Sequence, residues 1–541
     1  MKIQRSVFTF RIALYGMLGL LLAPADLVFA QGSLTTPGAP APTMRTLLQV
    51  QPRIPIQTLP YVIDQPGSYY LVGSLSGPTG IVIEASHVTL DMQDFELVGA
   101  GVSATEGIRV DTNGPYENIV IRNGTLRDWG DFAIDASTAS FCHFENLRLL
   151  DTGGIGLEAG ASARVLNCTV TRSDGHGIVT GPHSIIQGCL ASENEGTGIH
   201  AAEFSVVNDS TAATNAVHGI EVGMSSTVRD CTAKNNLLNG ILTWPSSVIV
   251  ASTANNNGEV GIYTLFASEV GDCTANNNGL VGIVLNEYGM ARDSVAGGNG
   301  THGFNAYYST SIFRCGAYAN GQHGIAAGLN NTISECTVVD NTLRGISVTD
   351  NNTIRGCTVS GNQGEGIYAG SGNTIKDCTV NQNNGMGIAA ADDNSIEGCT
   401  VTGNQSSGIS VQSDNTVRGC TVNLNENNGI VADARNRIED NVVNKQPKST
   451  DPDGTLVDGI GIHILQERNT VKANSFAQNE IGLKVEPALP TGIEENLIVR
   501  NTGSGNTTAN YEVDTTVNRV GTLQNDPAAA GIGAWDNFDI P

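Results

Sequence analysis

The residues with chemical potential are few and lie in the middle of the chain. Arg229-Asp230, Asp272 and Arg292-Asp293 recur at matching positions. Carboxylates repeated in this way supply oxygen ligands of the kind Ca²⁺ takes, and Asp272 and Asp293 are the candidate pair. A nearby basic group would then abstract a proton beside a uronate carboxylate, which makes Lys234, Arg292 and His302 the catalytic candidates. Aromatic residues cluster in the same stretch. Trp244, Tyr263, Phe266, Tyr307 and Tyr308 offer flat apolar faces that stack on sugar rings, form a subunit contact or pack under loops. His200 and Glu221, and His302 with His323, fall one repeat apart, as do turn residues of a regular array. DPDGTLVD, with Asp451, Asp453 and Asp458, is a loop rich in oxygen ligands without the spacing of a full calcium loop.

What must position these groups is a strict repeat. Ten of the 11 cysteines, from Cys168 to Cys420, fall on one 21-residue grid whose vacancies hold Ser210, Ser252 and Ser294. A second grid carries Gly before an apolar residue, from Gly156-Leu157 to Gly429-Ile430, through 13 periods without a slip. A third carries Asn from Asn194 to Asn425, and a fourth Asn from Asn331 to Asn436. Such periodicity is the mark of a solenoid. Within one unit, NNTIRGCTVSGNQGEGIYAGSG, short β-branched runs are broken by Gly and Asn, and no apolar spacing suits a helix. Period two points Ile354, Cys357, Val359, Ile367 and Ala369 inward and Thr358 and Tyr368 outward, with a corner at Arg355-Gly356.

The expected fold is therefore all-β, a parallel β-helix of 21-residue coils with three short strands each, right-handed by the preference of parallel crossovers. Stacked Asn should form amide ladders. The Gly column serves either a backbone angle that Cβ disfavours or a close approach to the next coil. The cysteines should be mostly free, buried thiols, because β-carbons on neighbouring coils stand farther apart than a disulfide wants.

The N-I-x-x-C/N-x-V-x-x-N-x-x-x-G-I pattern resembles the right-handed parallel β-helix repeat of the pectin-lyase-like superfamily, over roughly residues 80–500. LPYVIDQPGSYYLVGSLSG and VTLDMQDFELVGAG resemble exported bacterial β-helix proteins. The resemblance implies polysaccharide lyases, glycoside hydrolases, epimerases, accessory proteins or adhesins, and does not choose among them.

Composition bounds the rest. Gly at 65 of 541 residues and aromatics at 5% favour a thin, repetitive core over several globular ones. A formal charge of −25 argues against nucleic-acid binding and against polyanionic substrates without an intervening cation. Residues 1–30 read as a signal peptide cleaved after Ala30, which places the mature chain in the periplasm or outside the cell, with no later membrane span. Residues 31–60 read as a Pro/Thr-rich leader, 61–165 as irregular first coils, 166–500 as the β-helix with an insertion about 441–458, and 501–541 as a capping tail using Trp535 and Phe538. The expected function is a non-catalytic exported surface for a polysaccharide or cell-surface component. The alternative is a Ca²⁺-assisted lyase or another carbohydrate-active enzyme acting on an acidic glycan.

Overall fold

The computed structural model describes residues 53–450, 456–457, 459–486, 495–524, 533 and 536–540. The signal-peptide reading, most of the leader, Trp535 and the acidic loop residues Asp451, Asp453 and Asp458 lie outside the described residues. No helix among the described residues is long and apolar enough to cross a membrane.

Each coil is three short strands, as in Ile262–Thr264, Glu269–Gly271 and Thr274–Asn276. Through the strict array each strand pairs in parallel, and in register, with its equivalent 21 residues on: Ile262 with Ile283, Val270 with Ala291, Ala275 with Ala296. Alternation within each strand sends one set of side chains into a single continuous core, where Ile354, Cys357, Val359, Ile367 and Ala369 are all buried. The inward and outward assignments made from the sequence hold at these positions. In two of the early coils the second and third strands fuse, giving the ten-residue strands Val120–Trp129 and His143–Thr152.

A 21-residue loop closes on three sharp corners, and each places one residue in the left-handed region. In one coil these are Ala267, Asp272 and Asn277, with φ of 52°, 54° and 54°. Gly356 holds the corner read beside Arg355, at φ 63°. The Gly column before the inward Ile has a different cause. Gly345 carries no positive φ, and a Cβ there would sit 2.3 Å from Val359 Cγ1 and 2.7 Å from the Gly366 carbonyl oxygen. Close approach between coils, not backbone angle, is what excludes a side chain.

Polar ladders line the corners. Along the first Asn column, each Oδ1 accepts both the backbone N–H and the side-chain Nδ2 of the Asn one coil earlier, as Asn341 does from Asn320 at 3.0 and 2.9 Å. The second Asn column works the same way from Asn352 onward. Earlier coils fill its place with Ser184, Ser205, Ser226 and Ser247, whose hydroxyls take the same backbone N–H. The Cys column ends as a third Asn ladder through Asn441, Asn474, Asn501 and Asn537. These columns satisfy the corner amides that burial would otherwise strand.

The coil continues to Gln446, past the expected start of the insertion near 441. Gln446 Oε1 accepts the Asn425 N–H and so stands in for Asn in the first ladder. The insertion then leaves as an antiparallel pair, Ser449–Thr450 with Leu456–Val457. The C-terminal tail adds further rungs: Asn537–Ile540 pairs in parallel with Thr502–Ser504, and places Phe538 opposite Thr502.

All 11 cysteines are free and buried. Burial raises the Cys231 and Cys315 thiols to about 12, and thiols held protonated are poor nucleophiles. Because all 11 are buried, a thiol-exchange reagent should label none of them in the native protein and all of them in denaturant. Rapid native labelling of several would mean that the coils open locally.

Candidate functional site

The outer face of the sheet made by the first strands is where bulk changes abruptly. Register carries one outward column through His200, Glu221, Leu242, Tyr263, Val284, Asn305, Ala326, Ser347 and Tyr368. Across Asn305, Ala326 and Ser347 the floor drops to small side chains, and a groove of about 920 Å³ opens over them. One side is built from residues just before each strand, His302, His323 and Arg344, the other from residues at or beyond the strand ends, Tyr307, Tyr308, Leu329 and Asp350. Tyr307 and Tyr308 belong to a five-residue strand, Phe304–Tyr308, and are 40% and 46% exposed.

The two histidines are stacked, with ring centroids 5.1 Å apart and planes 3° from parallel. His302 Nδ1 accepts the His323 N–H, and His323 Nδ1 accepts the Arg344 N–H. An Nδ1 that accepts leaves the proton of the neutral ring on Nε2. Burial lowers both rings, and His302 and Arg344 add to the effect on His323, bringing it to about 4. Both are neutral near pH 7. His176 and His218 occupy the same column and accept the Thr197 and Asn239 N–H groups. Asn239 in its turn accepts the Val260 N–H. The column is thus a row of acceptors, which accounts for its histidines as turn residues.

Arg344 Nε donates to Glu365 Oε2 at 2.9 Å, and its guanidinium lies 3.8 Å from the Tyr368 ring centroid. Burial opposes ionisation of Glu365, but the Arg344 hydrogen bond and charge hold its carboxyl below the usual range. Asp350 Oδ1 accepts the Ser371 N–H at 2.7 Å. The groove is therefore aromatic and hydroxyl-matching, with its cation already paired.

A pH dependence follows from the histidines. A ring whose pKa is lowered on folding binds fewer protons than the unfolded chain, so stability is complete above about 6.5 and is lost as pH falls toward about 4. The denaturation midpoint should decline through that window, and His323→Asn, which keeps an acceptor in place, should flatten the decline. An unchanged profile in the variant would place the titration elsewhere.

The other sequence candidates do not converge. Trp244 and Phe266, each 48% exposed, stand on the same edge as Tyr307 and Tyr308 but several coils earlier. Trp244 Nε1 donates to Glu221, whose carboxylate also meets His200 Nδ1 at 3.3 Å. Tyr263 is half-buried against Val260, Val281 and Val284, so it packs locally. Of the catalytic candidates only His302 lines the groove; Lys234 ends a third strand and Arg292 a second strand. Asp272 and Asp293 turn to arginine: Arg292 meets Glu269, Asp272 and Asp293, while Arg314 holds Asp293 through two hydrogen bonds of 2.8 and 2.9 Å. Among the described residues, no group of three or more His, Cys, Asp or Glu side chains is placed to hold a metal ion. Arg344, Ser347, Asp350 and Tyr368 were not singled out as site residues from the sequence. For Arg344 and Tyr368 the signal there is a spacing of 24, one coil plus three residues, which brings Arg344 onto Tyr368.

Similar solved structures include the A-module of the Azotobacter vinelandii mannuronan C-5 epimerase AlgE6, 12% identical, covering 83% of this chain and 92% of that one, with a TM-score of 0.24. A mutant of the periplasmic alginate epimerase AlgG is 12% identical over 56% of this chain and 77% of that one, TM-score 0.30. The catalytic domain of a GH87 α-1,3-glucanase in complex with tetrasaccharides is 11% identical over 50% and 60%, TM-score 0.31. No curated protein matches the chain in sequence. The family described as a right handed beta helix region matches residues 106–252, 239–373 and 332–451, together well over half of the chain. With its in-register parallel coils, the chain belongs to the right handed beta helix family.

Proposed function

We propose that the protein is an exported, non-catalytic carbohydrate-binding β-helix that holds a polysaccharide in the groove over Asn305, Ala326 and Ser347. The groove itself carries this reading. Its open form suits a chain lying along the surface, Tyr307 and Tyr308 supply stacking faces, and Asn305, Gln322, Ser347 and the histidine Nε2–H groups supply partners for hydroxyls. Export rests on the signal-peptide pattern of residues 1–30.

Calorimetric titration of the protein with a polysaccharide panel tests it. Stacking on one aromatic ring is worth about 0.5–1.5 kcal/mol, so the double substitution Tyr307→Ala and Tyr308→Ala should weaken binding by roughly tenfold. Failure to bind any member of the panel would remove the carbohydrate reading. Appearance of unsaturated uronate in the presence of Ca²⁺ would remove the non-catalytic one and restore the lyase alternative.

A further inference from the structure

We infer that the groove and the aromatic edge beside it form one continuous track for an uncharged, linear polysaccharide; the inference rests on the carbohydrate reading above. Two independent observations carry it.

The first is charge. The cation in the groove wall, Arg344, is spent on Glu365 and stacked on Tyr368. The stacked histidines are neutral because their Nδ1 atoms accept backbone N–H groups within a half-buried setting. Asp350 adds a carboxylate on the opposite side. Along the edge toward earlier coils, the acidic Glu287 and Glu221 stand among the aromatic residues. A polyuronate would therefore meet carboxylates along this path with no unpaired cation to offset them, within a chain of net charge −25. Hydroxyls of an uncharged glycan meet no such repulsion.

The second is continuity. Trp244 and Tyr307 occupy one line of the repeat and Phe266 and Tyr308 the next, with Tyr288 between them, and all five are at least 40% exposed. Beyond Leu329, which pairs with Tyr308, the same line turns to Asp350, Ser371 and Asp392. The aromatic edge thus runs from the groove in one direction only, toward the N-terminal coils. Tyr368 and Trp244 are six coils apart in the register, about 29 Å at about 4.8 Å per coil. A short oligosaccharide fills the groove alone, whereas a polymer reaches Trp244.

The experiment is calorimetric titration of the full chain with linear glucans, mannans and xylans, each as polymer and as short oligosaccharide, and with polygalacturonate with and without Ca²⁺. At least one uncharged polymer should bind ten or more times tighter than its short fragment, with an affinity that a tenfold rise in salt leaves unchanged. Trp244→Ala, at a half-exposed position where folding is readily verified by circular dichroism, should weaken the polymer about fivefold and leave the fragment unaffected, while Tyr308→Ala weakens both. Polygalacturonate binding as tightly as any uncharged glycan would overturn the inference and leave the carbohydrate reading standing. Equal effects of Trp244→Ala on polymer and fragment, or a change in association state in place of a change in binding, would overturn the track. Binding to none of the glycans would overturn both readings.

Discussion

Replacing Gly345 by Ala should lower stability by about 3 kcal/mol, whereas Gly419→Ala should cost about 1 kcal/mol. The two sites separate the two reasons for a glycine. Gly419 has φ 62° and nothing within 4 Å of where a Cβ would stand, so a side chain there meets only the left-handed backbone penalty. At Gly345 the new carbon would fall 2.3 Å from Val359 Cγ1, 2.7 Å from Asn362 Nδ2 and 2.7 Å from the Gly366 carbonyl oxygen. A valine can shift, but a backbone carbonyl and a ladder amide cannot without parting the coils, and the parting also stretches the hydrogen bonds that stack them. Gly324, Gly366 and Gly387 show the same three neighbours, so the effect should recur along the column. Because solenoid stability is a sum over neighbouring repeats, a local defect of this size should also broaden urea unfolding into two phases. Equal losses at 345 and 419 would mean that close approach is not the cause.

The sequence was most readable where one position has one job. An amide stacked on an equivalent amide satisfies both its own donor and its neighbour's, and asparagine repeated at one period is rare enough on a surface that the Asn columns announced themselves. The Ser column through Ser184, Ser205 and Ser226 did the same work unnoticed, because a hydroxyl accepts a backbone N–H just as well but is common on any surface. The glycine column left two explanations open, since both a positive φ and a close approach exclude Cβ, and only the position of the neighbouring coil decides between them.

The site was less readable, for a physical reason. A groove is a lack of bulk, and Asn305, Ala326 and Ser347 have no chemistry that draws attention in a sequence. Tyr307 and Tyr308 stood out because aromatic residues cluster in that stretch, and both rings are exposed at the end of their strand. Tyr263 was equally prominent, but it pairs with Val284 and packs against Val260, Val281 and Val284, a packing environment invisible until coils are stacked. At the acidic corner, Asp272 and Arg292 lie one residue short of a full period apart and the long arginine side chain spans that offset, while Arg314, a full period from Asp293, reaches Asp293 directly, ion pairs that the sequence spacing alone did not announce.

Asn341→Asp should be among the most damaging single-atom changes in the protein, and its cost should depend on pH. Asn341 is fully buried; its Oδ1 accepts from Asn320 N and Nδ2, and its Nδ2 donates to Asn362 Oδ1 at 2.9 Å and to the Ala317 and Val339 carbonyls. A carboxylate keeps the two accepted bonds. It forfeits all the donated ones and sets a negative oxygen against the Asn362 Oδ1 and two carbonyl oxygens. Each stranded buried partner costs about 1–3 kcal/mol, and more for a charge, so a loss of about 4 kcal/mol is expected at pH 8. Protonation supplies one donor and removes the charge, which raises the folded-state pKa above the unfolded value near 3.9. The folded variant then holds its proton more tightly than the unfolded chain. Its deficit relative to the parent at the same pH should therefore shrink as pH falls, to a residue of about 1–2 kcal/mol near pH 4. Paired urea denaturation of parent and variant from pH 8 to pH 4 measures this, and the comparison at equal pH cancels the histidine contribution common to both. A deficit that stays constant across that range would mean that the aspartate side chain has left the ladder for solvent, and that a single rung can open without unwinding its neighbours.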